Sequence, residues 1–110
     1  MEIQVRREGP CQVVTIRGSA DVGASVNLRE ALWGAIEAGA TQIVCDLSRT
    51  DFICSEALGV LITAYLKAHA RGGFVRLAGP PPRLREVFET TRLDHLFEVF
   101  PDVASALKGT

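Results

Sequence analysis

The apolar and polar positions along this chain change period several times, and each change marks an element. Ile3 to Arg7 alternates, with Ile3 and Val5 set against Gln4 and Arg6, the pattern of a half-buried strand. Gly9-Pro10 makes a turn. Cys11 to Arg17, with Val13, Val14, Thr15 and Ile16 mostly β-branched, completes a predicted antiparallel hairpin. Gly18-Ser19-Ala20-Asp21 is expected to break that strand. From Val22 to Ala38 the period lengthens: Leu28, Ala31, Leu32, Ala35 and Ile36 share one helical face, and Gly39 is a stop signal. Ile43-Val44-Cys45-Asp46-Leu47 reads as a buried strand. A strand, a long helix and another strand imply a right-handed crossover and parallel pairing.

Ser48 to Cys54 reads as a loop. A second helix starts at Ser55, with Leu58, Leu61, Ile62, Tyr65 and His69 on one face, and Gly72-Gly73 ends it. Phe74 to Ala78 is the next strand. Gly79 and Pro80 to Pro82 suit a loop running into a first helical turn. Leu84, Val87, Phe88 and Thr91 mark a third helix, Leu96 to Phe100 a last short strand. Pro101-Asp102 opens a terminal helix with Val103, Ala106 and Leu107 inward. The order β-β-α-β-α-β-α-β-α predicts an α/β fold. One domain over residues 1–110 carries a mostly parallel sheet with an antiparallel N-terminal strand, covered by helices.

Composition narrows the function classes. The chain has 110 residues and is 47% hydrophobic, enough for one core without metals or disulfides. Twelve Lys and Arg against thirteen Asp and Glu leave a net charge of -1, without the basic excess of a nucleic-acid binder. Aromatics at 6% supply no stacking platform for single strands. No apolar run resembles a signal peptide or reaches the roughly 18 residues of a membrane span. Cys11, Cys45 and Cys54 are widely spaced and form no CxxC pair, so a reducing cytoplasm is expected. Cys11 and Cys45 read as small core residues. His69 and His95 belong to no HxxxH or HExxH pattern, and the glycines form no phosphate-cradling loop. Neither a metal, a cofactor nor an enzymatic activity is expected.

The most informative segment is Cys45-Asp46-Leu47-Ser48-Arg49-Thr50-Asp51-Phe52-Ile53-Cys54-Ser55-Glu56-Ala57-Leu58-Gly59-Val60-Leu61. It runs strand, loop, helix start. Ser55 stands where the helix begins and is expected to cap it, and Glu56 suits the positive helix end. A hydroxyl there has a second use. A phosphate on it meets free backbone N–H groups and the helix dipole, so the fold tolerates a change of about -1.5 to -2 charges. That is the profile of a binding switch.

These residues resemble the STAS domain, in particular the stand-alone bacterial anti-sigma factor antagonists, over essentially the whole chain. Gly18 and Asp21 match the Gly and Asp of the family's Gly-Glu-Leu-Asp pattern, and Asp46-Leu47-Ser48 matches its Asp-Leu-Ser. Phe52-Ile53-Cys54-Ser55-Glu56-Ala57-Leu58-Gly59-Val60 stands where the family has Phe-(Met/Ile)-Asp-Ser-Ser-Gly-Leu-Gly-Val. Gly72-Gly73 before a strand and Val87-Phe88 before Leu93 also look like the family. The resemblance implies a partner-binding protein without catalytic residues. Its partner is an anti-sigma factor that is also a serine protein kinase, and a serine phosphatase resets the cycle. Ser55 falls on the family's phosphorylated serine. Asp21, Phe52, Ile53, Cys54, Ser55, Glu56, Leu58 and Gly59 form the expected partner-binding surface. Cys54, Glu56 and Ala57 depart from the family's Asp, second Ser and Gly, removing one carboxylate beside the acceptor and adding another. The alternative is a STAS subunit of another assembly, such as a lipid-transport ATPase complex or a stressosome-like scaffold. There the loop binds constitutively and Ser55 is a cap only.

Overall fold

A computed structural model of the chain describes residues 1–108. Its elements are β1 (Glu2–Glu8), β2 (Cys11–Ala20), α1 (Val22–Glu37), β3 (Gln42–Asp46), β4 (Thr50–Ile53), α2 (Ser55–Ala70), β5 (Phe74–Ala78), α3 (Pro82–Thr90), β6 (Val99–Phe100) and α4 (Val103–Leu107). A 3-10 turn at Leu93–His95 precedes β6.

One sheet runs β1-β2-β3-β5-β6, with β1 antiparallel to β2 and the other pairs parallel. Side-chain alternation sorts it into two faces. Val14, Ile16, Ile43, Cys45, Val75 and Leu77 join the main core, together with Leu28, Leu32, Ile36, Leu61 and Phe88 from the helices. Val13, Val44 and Ala78 turn to the other face, which Ala106 of α4 covers. The α/β class and the antiparallel first strand are as the sequence predicts.

Arg76 fastens α4 to that second face. Its guanidinium lies 3.9 Å from the Phe74 ring centroid, and Nη1 donates to the Ala106 carbonyl at 2.9 Å. Burial excludes water from Cys45, and its thiol pKa is pushed up to about 12, with the charge of Asp46 adding to the effect.

Several expectations need correction. Residues 48–54 are not all loop: Thr50–Ile53 is a strand, β4, parallel to the end of β2 through Ser19↔Phe52 and Ala20↔Ile53. Likewise, Gly18-Ser19-Ala20 does not end β2. Gly18 adopts φ +88°, the register shifts there, and the strand moves its pairing from β3 to β4. Thr50 is buried in this polar stretch because its hydroxyl donates to the Ile16 carbonyl at 2.7 Å.

The buried stripe of α2 is rotated from the expected one. Ala57, Val60, Leu61, Ala64 and Ala68 face the core, Leu58, Ile62 and Tyr65 flank it, and His69 is exposed, stacked on Tyr65. Three alanines let the helix axis approach closely, and the larger side chains are left for the margins. Of the strand expected at Leu96 to Phe100, only Val99 and Phe100 pair. In β1, Ile3 packs against the core, whereas Val5 is 50% exposed.

Candidate functional site

The end of β2 and the end of β4 lie side by side, and a helix leaves each. Ala20 pairs with Ile53, so Asp21 and Cys54 are the next residues on neighbouring strands. The Cys54 N–H donates to the Ala20 carbonyl at 2.9 Å, tying the two exits together. Both residues are N-caps. Asp21 Oδ1 accepts from the Ala24 N–H at 2.9 Å. Cys54 Sγ accepts from the Ala57 N–H at 3.4 Å.

This overturns one expectation. Ser55 does not cap α2; it is the first helical residue, one position after the cap. Its hydroxyl is exposed and meets no partner among the described residues. The N–H groups of Ser55 and Glu56 also lie ahead of the first intrahelical bond, which runs from Leu58 N to Cys54 O. Glu56 is exposed in the first turn, as expected for the positive helix end.

The other expected surface residues divide. Phe52 is 51% exposed, and Gly59, one turn along from Ser55, is exposed too. Cys54 and Leu58 are half-buried. Ile53 alternates inward and is 6% exposed, so its side chain belongs to the core and not to the surface. Asp46 acts within its own turn, accepting from the Ser48 N–H and hydroxyl.

Two surface residues escaped the sequence reading. Val22 and Val26, on the first two turns of α1, are 57% and 43% exposed. Their signal was available: they stand four apart, off the Leu28–Leu32–Ile36 stripe. Together with Phe52 they are exposed apolar side chains on the segments that flank Asp21 and Cys54.

Two hollows in the surface contain none of these residues. One, of about 220 Å³, is lined by Arg85, Phe88, Glu89, Asp94 and Val99. The other lies by Arg7, Gln12 and Gln42. No group of three or more His, Cys, Asp or Glu suited to a metal occurs among the described residues. Among the described residues no helix is long and apolar enough to cross a membrane.

A mixed sheet with helices packed against it, and an exposed serine starting one of them, define the class: a small α/β domain with a helix terminus open at its surface. The chain belongs to the STAS domain family, whose model matches residues 2–106. It is 30% identical over 86 residues to the anti-sigma-B factor antagonist of Bacillus subtilis, covering 78% of each chain. A Thermotoga neapolitana protein, named as a homolog of a candidate anti-sigma factor antagonist, is 30% identical over 70 residues. That match covers 64% of this chain and spans only 62% of the relative's length. Among solved structures, the phosphorylated form of the Bacillus cell fate determinant SpoIIAA is 25% identical. It superposes with a TM-score of 0.72 over 89% of this chain and 90% of that one.

Proposed function

We propose that this protein is an anti-sigma factor antagonist that docks on an anti-sigma factor with serine kinase activity and is released by phosphorylation of Ser55. The docking face comprises Asp21, Phe52, Cys54, Ser55, Glu56, Leu58 and Gly59, extended by Val22 and Val26.

One observation carries the reading: the Ser55 hydroxyl is exposed and structurally uncommitted, because Cys54 does the capping. A kinase can therefore modify Ser55 without removing a hydrogen bond from the fold. The phosphate then sits at a helix start, where the dipole and free N–H groups tolerate it. It also stands next to Glu56, so the added charge falls on an already acidic spot and alters the face a partner meets. ATP and magnesium belong to the kinase, and a serine phosphatase restores the free hydroxyl.

The test incubates the protein with its cognate kinase and ATP and maps the phosphate by mass spectrometry. Phosphate on Ser55 is expected. Ser55→Ala should then hold the kinase persistently, and Ser55→Asp should bind it weakly. Tight binding without any phosphate on Ser55 would replace the switch with the constitutive docking of a STAS subunit in another assembly.

A further inference from the structure

The outer edge of β1 is a second surface that the docking face does not use. β1 runs Glu2-Ile3-Gln4-Val5-Arg6-Arg7-Glu8 and pairs only with β2 among the described residues. Its other edge therefore presents a row of backbone donors and acceptors to solvent, the feature that templates strand addition.

Residues directly opposite across a ladder share a face. Ile3 lies opposite Ile16 and Val5 opposite Val14, so both point to the face of the main core. Glu2, Gln4 and Arg6 point to the other. We propose that this edge pairs with the same edge of a second copy, antiparallel about a two-fold axis at Gln4. In that register Glu2 lies opposite the partner's Arg6, and Arg6 opposite the partner's Glu2. Ile3 lies opposite the partner's Val5 on the other face, covering the half-exposed valine twice.

Charge selects this register among its neighbours. A two-fold pairing keeps side chains on matching faces only when the axis passes through a residue. Centred on Val5, it sets Glu2 against the partner's Glu8. Centred on Arg6, it sets Arg6 against itself. Only the Gln4 centre brings opposite charges together at both ends while matching Ile3 with Val5. The arrangement makes one continuous sheet of two copies. Because the paired strands run antiparallel, the two Ser55 sites lie at opposite ends of it, and both stay open.

The test is a charge-exchange pair read by sedimentation velocity on the full chain. Wild type should show a concentration-dependent monomer–dimer equilibrium. Arg6→Glu alone places Glu against Glu, and Glu2→Arg alone places Arg against Arg. Each should raise the dissociation constant about tenfold or more. Mixed in equal amounts, the two variants should recover the dimer, since every cross-strand pair is again of opposite sign. Circular dichroism confirms that each variant is folded. A wild type that stays monomeric at all concentrations overturns the proposal. So do single variants that dimerise as readily as wild type, and a mixture that does not recover.

Discussion

The two helices that start at the site begin in the same way and are held differently. Asp21 and Cys54 follow register-paired residues of β2 and β4, both with extended backbone, and both accept from the N–H three residues on. At α1 the acceptor is a carboxylate at 2.9 Å. At α2 it is a sulfur at 3.4 Å. A carboxylate both bonds and complements the helix dipole, whereas a neutral thiol is a weak acceptor. The start of α4 repeats the stronger case. Its cap, Asp102, is held below the usual carboxylate range by the Ser105 N–H and then by the Ser105 hydroxyl. The difference teaches that the helix carrying Ser55 gains less from its cap than α1 or α4 gains from its carboxylate. Its first turn is where an added anion gains most.

Both starts rest on the same sheet, and the largest expected effect comes from breaking that platform. A Cβ on Gly73 would overlap the Thr41 carbonyl oxygen, which accepts from the Phe74 N–H at 2.8 Å as β5 begins. Backbone cannot yield there without separating β5 from β3. Gly73→Ala should cost about 3 kcal/mol or more in a denaturant melt. A loss near zero would show that β3 and β5 are joined more loosely at this end than the contact implies.

Next in size is the difference between the caps themselves. Asp21→Ala should cost about 1 kcal/mol, as expected for loss of a carboxylate cap. Cys54→Ala should cost clearly less. Equal losses would erase the distinction between the two starts. Cys54→Asp sharpens it from the other side: a carboxylate at the cap of α2 should raise stability by about 0.5 kcal/mol. A fall in stability would mean that the thiol's packing against the core outweighs its weakness as an acceptor.

How much of this could be read from the chain follows from period and contrast. The long helices, the buried strands and the antiparallel start were legible because Leu28, Leu32 and Ile36, or Val13 to Ile16, repeat without interruption. β4 was not, because Arg49, Thr50 and Asp51 are polar and the strand exists only through pairing with the end of β2. The stripe of α2 was misplaced because alanines carry little weight in an apolar pattern, yet their size decided which face packs. At the site, Ser55, Glu56 and Phe52 were legible as a surface segment. The cap was not, because sulfur is a poor acceptor and serine a good one; the backbone position of Cys54, set by its bond to Ala20, decided against that preference.

The smallest expected change in stability tests that last point. Were Ser55 the cap, Ser55→Ala would cost about 1 kcal/mol, as Asp21→Ala should. With Cys54 in that place and the hydroxyl unpartnered, Ser55→Ala should leave stability within about 0.5 kcal/mol of wild type. The same substitution should abolish phosphorylation altogether. A melt and a kinase assay on one variant therefore separate the two roles a serine can hold at a helix start. Unchanged stability with lost phosphate acceptance marks a hydroxyl kept for chemistry. A full kilocalorie of lost stability would return Ser55 to the cap and remove the reason to regard it as free.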